Sequence, residues 1–531
     1  MAALCRRNRR NAMIHDRNGE QEWHLQTETV PVPVQLPAMM QEQSIELDYV
    51  LPDYYPDFFR LLHCTAETAV TADAPADGTV SYTLRVTLHV LYCGTETPAV
   101  QAVTQQLTYQ GSMELPAEFH APMQLRMSAE TAYLNCRAVS QRRIDLRGAV
   151  RVTAQPFGEQ QTAVLSGARG MHVQTKTEPV TYVSQILRTG KQFVLSEDIR
   201  IPETQPAVLS VLRTQTALSV HETRIVAGKL VIKGEAAVTL LYAAETGIET
   251  VSAVFGFSQI AEQDGMTDDM PAAVQAELSS QLLTPESEQD GDIRLLHCDL
   301  QIMLHCEAVR TASAELLTDL YSTVSPVRVQ RAQVPLLSAP QPISTHFRQK
   351  ITVSEPDAVL TKVYAAWAEP EQLASAPDAS GSGTILNGVL HCCVLAADAE
   401  EHPMMLEKRE SFAWALPEIP PAQLLPAVTV ESCAYTLTGS DSAVLQPELH
   451  LNGQILRQQN LMLMTDAQAE PETSYPAADP YALRLYFAQP AETLWEIAKR
   501  YHTSVEAIRE ENDVPAEQLT APQMLLIPIV Q

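Results

Sequence analysis

Residues 51–62 read LPDYYPDFFRLL, and residues 201–212 read IPETQPAVLSVL. Each opens on an aliphatic residue and a proline, sets a second proline four positions on, and runs into an apolar stretch. A weaker third copy, Glu355-Pro356-Asp357-Ala358-Val359-Leu360, brings its proline to 356, so the second prolines at 56, 206 and 356 are spaced by 150. Between copies one and two the register then holds without a gap through Gly78 and Gly228 to Tyr92 and Tyr242. Chance does not keep register over roughly forty residues, so the chain carries an internal duplication.

Each copy reads as sheet. Val80, Tyr82, Leu84, Val86, Leu88, Val90 and Tyr92 alternate with polar residues at period two. That run is longer than a usual strand, so it is expected to bend or carry a bulge. Ile144, Leu146, Val150 and Val152 repeat the pattern later in copy one, and Leu296 to Cys306 and Leu445 to Ile455 match it in copies two and three. One apolar and one polar face is the pattern of antiparallel sheet with one wet side. Helical periodicity is scarce before residue 480. The expected fold is mainly β: three repeated antiparallel β domains, each a sandwich or a barrel, followed by a small βααβ module. The expected boundaries are an N-terminal tail at 1–40, β repeats at 41–175, 176–325 and 326–465, a linker at 466–480, and the module at 481–531. The linker is rich in Pro, Ala, Asp and Glu and reads as extended and mobile.

The module runs from Tyr481 to Val530. An alternating apolar run (Leu483, Leu485, Phe487) precedes two helix starts, and a second apolar run (Met524 to Ile527) follows them. Thr493-Leu-Trp-Glu496 and Thr503-Ser-Val-Glu506 both have the form of a capping box. Leu494, Ile497, Ala498 and Tyr501 make one apolar helix face, and Val505 and Ile508 begin a second. Trp495 falls off this stripe. It reads either as an exposed ring that can stack on a sugar or anchor an interface, or as packing over the helix–strand seam.

Composition narrows the function classes. With 36 Lys and Arg against 64 Asp and Glu, the net charge is −28. That argues against nucleic acid and anionic membrane as partners. Arg6, Arg7, Arg9 and Arg10 form a lone basic cluster, expected as a disordered tail or an over-extended start upstream of Met13. No apolar signal region and no membrane-length apolar run is visible, so no membrane insertion is expected. Nine cysteines over 531 residues suit reduced thiols in a cytoplasm better than a disulfide framework.

The string QPAETLWEIAKRY, with Asn512 closing the second helix and LLIP in the last strand, resembles a LysM module. The LPDYYPD element resembles the SPOCS domain that repeats in spore-coat morphogenetic proteins. Repeated SPOCS-type domains with one C-terminal LysM match the layout of clostridial proteins that tether the coat-assembly ATPase of sporulation to the forespore surface. The resemblance implies a non-enzymatic scaffold in the mother-cell cytoplasm, with that ATPase as partner. Its alternatives are a binder of peptidoglycan or N-acetylglucosamine oligomers, and a cell-wall hydrolase whose site is not recognised. In LysM modules the sugar groove lies between loops that usually carry Gly-Asp-Thr and Pro-Gly-Gln. Here they read Ala491-Glu492-Thr493 and Ala521-Pro522-Gln523. Without the glycines, positive φ and close backbone approach are expected to be lost, and glycan binding with them. The binding residues implied for the loops and partner face are Gln489, Glu492, Thr493, Trp495, Asn512, Asp513 and Gln523. The acidic row Glu506, Glu510, Glu511 and Asp513 would steer a basic partner.

Other constellations read as structure. His297-Cys298 and His305-Cys306 have zinc-ligand types, but eight strand positions span ~26 Å and cannot share one ion. His391-Cys392-Cys393 lies in an apolar run and reads as core. Asp53 and Asp57 sit in a proline-stiffened turn. No nucleophile or phosphate-loop motif is present. No catalytic residue, no metal and no cofactor is therefore expected.

Overall fold

Alternation at period two becomes sheet in every copy. The computed structural model describes residues 12–14, 23–94, 100–120, 123–170, 172–287, 292–355, 359–417, 419, 428–439, 441–470, 475, 483–514, 519 and 521–528. In the first copy, strands Phe58–Ala72, Thr79–Gly94 and Val100–Glu114 form an antiparallel meander. Ser210–Val226, Lys229–Ala244 and Gly247–Glu262 do the same in the second, and Lys362–Pro377, Thr384–Ala397 and Pro403–Leu416 in the third. The first hairpins of copies one and two turn through Asp77-Gly78 (φ 50° and 74°) and Ala227-Gly228 (φ 51° and 75°). Two consecutive positive φ values match the twist of a tight hairpin, which is why glycine recurs there.

A second sheet covers each meander. In copy one, Met39–Val50 and Gln124–Ser140 flank the early part of Arg143–Arg169. In copy two, the later part of Val173–Arg200 and Ala272–Ser287 flank Ile293–Ser322. In copy three, Val428–Thr438 lies on one side of Ser442–Ile455, and the shorter strands Gln341–Arg348 and Ile351–Ser354 on the other. Alternate residues of both sheets interdigitate, as Ile45, Leu84, Leu88, Ile144, Leu146 and Val150 do in copy one. The other copies have cores of their own built in the same way. Of the two expected forms, the copies are sandwiches.

The proline element caps the sandwich. Arg142 donates to the carbonyls of Leu51, Pro52 and Tyr55 at 3.2, 2.7 and 3.3 Å and to Asp57 Oδ1 at 2.5 Å. The Tyr92 hydroxyl donates to the Pro56 carbonyl at 3.1 Å, and Tyr242 repeats the bond to Pro206 at 3.2 Å. Arg294 takes the place of Arg142, donating to the carbonyls of Pro202 and Gln205. Asp57 is thus an arginine's partner in a turn, as the prolines predict. Pro356 lies outside the described residues.

The ends of the copies differ from the expectation. Residues 23–35, read as tail, form strand Trp23–Gln35, which pairs with 157–169. Pro31 and Pro33 within it argue for an edge or a non-strand, yet Leu25 and Val30 are buried. Short strand Ala12–Ile14 pairs with it in turn, while Arg6, Arg7, Arg9 and Arg10 lie outside the described residues. Likewise 173–183 pairs with 311–322, and Val327–Leu337 with Gln458–Ala469. Residues 466–469, read as linker, belong to that last strand. Three ribbons result among the described residues, one per copy, each a pair of long strands, with Ala12–Ile14 added at the edge of the first. They share a core, to which Val30, Val164, Tyr182, Leu316, Val334 and Leu463 contribute. The meanders meet in a second shared core containing Leu91, Leu212, Leu241, Trp367 and Leu395. The strands that serve both a sandwich and a ribbon are 27 to 30 residues long and bend at register shifts.

Among the described residues, no helix is long and apolar enough to cross a membrane. The eight described cysteines are unpaired.

Candidate binding module

Strand Leu483–Ala488, helices α1 (Leu494–Arg500) and α2 (Val505–Asn512), and strand Gln523–Pro528 make the C-terminal module. The two strands pair antiparallel and the helices cover one side. The capping box at α1 is present: Thr493 Oγ1 accepts from Glu496 N, and Glu496 Oε2 accepts from Thr493 N. The second box is not made. Ser504 caps α2, accepting from Ala507 N at 3.1 Å. Thr503, one residue ahead of the cap, is fully buried, and its carbonyl accepts the Tyr321 hydroxyl at 2.7 Å.

Tyr321 belongs to the second β copy, and it marks where the module sits. Trp495 Nε1 donates to Asp319 Oδ2 at 2.8 Å, and its ring meets Tyr321 edge-on at 4.9 Å. Lys499 and Arg331 also reach Asp319, each at 2.7 Å. Burial raises the Asp319 pKa, but the bonds from Lys499 and Trp495 outweigh it and hold the carboxyl below its ordinary range. Tyr475 stacks on His502 at 3.6 Å beside this seam. Of the two readings of Trp495, the exposed anchor is therefore overturned: the ring is 7% exposed. Its cover comes from a strand 176 positions earlier, which no helical pattern reveals.

Ala491 stands where LysM modules carry glycine, and it takes φ 73° all the same. The expected loss of the left-handed backbone is thus corrected. Ala491 N donates to the Leu519 carbonyl at 2.9 Å and Leu519 N returns a bond to Glu492 at 3.1 Å, so the two loops are tied together. Those contacts hold the strained residue in place. Most of the residues implied for binding have structural duties. The Glu492 carboxylate accepts from Gln489 N, the Tyr486 hydroxyl and Arg500. Thr493 caps α1. Asn512 donates to the Ile508 and Leu526 carbonyls and accepts from Leu526 N, clamping α2 to the last strand. Asp513 ends α2 at φ 54°. Gln489 is exposed and Gln523 half-buried at the loop end. The acidic row Glu506, Glu510, Glu511 and Asp513 is exposed.

One surface was missed in the sequence. Leu483, Leu485, Phe487 and Met524 are 42, 68, 58 and 61% exposed. Phe487 pairs with Met524 and Leu485 with Leu526, so the outer side of the two-stranded sheet is apolar. Tyr486, Ala488, Leu525 and Ile527 face the module's core instead. The signal was the unbroken run Met524 to Ile527, apolar on both faces, which a strand with one wet side does not need.

The remaining constellations stand as follows. Cys298 and Cys306 are buried on one strand, while His297 pairs with Asp198 and His305 with Glu277. Ser344, His450 and Glu431 line up with contacts of 2.9 and 2.7 Å. Ser344 lies mid-strand, though, without the sharp turn that lifts a nucleophile above a sheet.

Residues 207–280 match the family described as SipL, SPOCS domain, and residues 488–528 match the LysM domain. The first match covers the meander of the second copy, and the second match the module. No curated protein and no solved structure matches the chain. Both matched domains are non-catalytic binding modules, and peptidoglycan is the ligand class that the LysM match supports. The chain thus has the SPOCS-plus-LysM architecture of a sporulation-related protein.

Proposed function

We propose that this chain is a non-enzymatic scaffold of endospore coat assembly that docks the coat-morphogenesis ATPase at the forespore surface, in the mother-cell cytoplasm, through its LysM module. The observation that carries the reading is the outer sheet face with Leu485, Phe487 and Met524 exposed. An apolar patch that no described residue covers is the kind of surface that buries on a protein partner. The acidic row on α2 adds charge that steers a basic partner and raises the on-rate more than the affinity. The three sandwiches present the module from one body, with Trp495 and Lys499 fixing it to Asp319.

The test is binding of the full chain to the coat ATPase with Leu485→Ser and Phe487→Ser combined. A loss of at least ~30-fold is expected, the size of one hot spot. Undiminished binding by a folded double variant would exclude this face.

A second reading, binding of peptidoglycan or N-acetylglucosamine oligomers, is favoured by Ala491, whose φ of 73° keeps the loop shape that glycine usually supplies. Titration with a hexamer of N-acetylglucosamine separates the two. Weak or absent binding is expected, because the loops are tied together and Glu492 is engaged. Micromolar affinity would put the glycan first.

A further inference from the structure

The core where the three meanders meet carries one dense polar cluster. His63 comes from the first copy. His391, Cys393 and Glu407 come from the third, on strands Thr384–Ala397 and Pro403–Leu416. His391 and Cys393 are two apart and share a face, and Glu407 lies directly across the ladder from Cys393. Cys392 points the other way, into the core of the third sandwich. His391 Nε2 stands 3.5 Å from Cys393 Sγ and 3.2 Å from Glu407 Oε2. His63 Nδ1 stands 2.5 Å from Glu407 Oε1. A His63 ring nitrogen, Cys393 Sγ and a Glu407 oxygen lie within 4.8 Å of one another. His63, His391 and Cys393 are 5, 4 and 1% exposed. His63 Nε2 is buried and meets no hydrogen-bond partner among the described residues.

We propose that His63, His391, Cys393 and Glu407 bind one divalent transition-metal ion of the zinc class. The donor set is that of such an ion: two imidazoles, a thiol and a carboxylate. With metal–donor distances of ~2.0–2.3 Å, tetrahedral geometry sets neighbouring donors roughly 3.3–3.6 Å apart. The two contacts around His391 Nε2 have about that spacing. The His63 nitrogen is within 4.8 Å of Cys393 Sγ and a Glu407 oxygen but not of His391 Nε2, so an entering ion has to draw the two rings together. The His63–Glu407 contact is closer, a hydrogen bond that an entering ion would open. The outer shell fits as well. His391 Nδ1 lies 3.4 Å from Glu371 Oε1, and Glu371 is held in turn by Arg409 at 3.1 Å. A carboxylate behind a ligating histidine fixes its ring and tautomer. Trp367 packs edge-on against His63 at 5.6 Å, with the Arg213 guanidinium 4.4 Å from the indole, and together they help wall the cluster off. Binding expels the Cys393 thiol proton and any proton on the ligating imidazole nitrogens, so the ion replaces hydrogen bonds with four coordinate bonds. Because His63 lies 344 positions from Glu407, the ion ties the first copy to the third. It is a structural site: all four positions are filled by protein, and none is left for substrate.

The experiment uses the full chain. Metal is stripped with a chelator, and zinc or cobalt(II) is returned and counted by elemental analysis. One ion per chain is expected. Cobalt should show tetrahedral visible bands and a thiolate-to-metal band in the near ultraviolet. Cys393→Ser should abolish the thiolate band, and His391→Gln should lower affinity at least ~100-fold. Glu371→Gln, which reaches His391 and Arg409 but not the ion, should lower it ~10–100-fold without changing the bands. His450→Ala, at the exposed His346–Glu431–His450 cluster, should change nothing. Should the variants fail to fold, the wild-type stoichiometry and thiolate band still decide. A wild-type chain that takes up no stoichiometric ion, or cobalt without a thiolate band, would overturn the proposal. So would uptake that His450→Ala abolishes and Cys393→Ser leaves intact.

Discussion

The LysM module has two apolar faces, and the chain treats them oppositely. The face carrying Trp495 is closed by Asp319 and Tyr321 of the second β copy. The face carrying Leu485, Phe487 and Met524 is left open. The difference shows that tryptophan in a binding module is not by itself an anchor for a foreign partner. Here its indole N–H finds a carboxylate within the same chain, and a buried Trp needs such a partner. Phe487, Leu485 and Met524 need none, and no described residue covers them.

Four substitutions or conditions probe that contrast. Trp495→Ala should remove about 3–5 kcal/mol of stability, the usual loss for a buried aromatic, and loosen the module from the body. Urea unfolding with circular dichroism checks this; a change under ~1 kcal/mol would mean the seam is not formed. Leu485→Ser with Phe487→Ser should behave in reverse, costing about 2 kcal/mol in ATPase binding and within about 0.5 kcal/mol in stability. Asp319→Ala leaves the indole N–H and two cations without their acceptor, and should cost about 1–3 kcal/mol. The measurement is again urea unfolding, and hydrogen exchange should rise first at the α1 amides. The smallest effect is expected with acid. The folded pKa of Asp319 is depressed, so its contribution is full above the unfolded carboxylate value near ~3.9. It is lost as pH falls through the lower folded value. The α1 amides should thus stay protected from neutral pH down to ~4 and lose protection below it. Loss of protection already near pH 6 would assign the seam to another group.

Local pattern made much of this molecule legible. Alternation from Val80 to Tyr92 gave the strand, and Gly78 and Gly228 marked the turns that the backbone then takes at positive φ. The Thr493 box was legible because both partners lie within four residues. What failed was whatever depended on distant chain. Trp23–Gln35 holds two prolines and reads as tail until 157–169 lies beside it. Thr503 reads as a cap, but the helix starts one residue later with Ser504 as its cap, and Thr503 is buried against Tyr321 instead. His391-Cys392-Cys393 reads as core, and all three are buried, though not in one core. The alternation of the strand sends Cys392 into one core and Cys393 toward His63 and Glu407.

The ribbons set an order for the protein's birth. Trp23–Gln35 emerges early from the ribosome, but the core it enters also needs Leu316 and Leu463. That centre cannot close until synthesis has passed residue 469, the end of the last ribbon strand. At ~5–20 residues per second, the first copy waits tens of seconds with apolar ribbon surface uncovered. Pairings this distant are slow to close. A nascent chain stalled before the last copy is then a sticky one. The prolines of the first ribbon strand, a liability for predicting it, serve to guard an exposed edge during that wait.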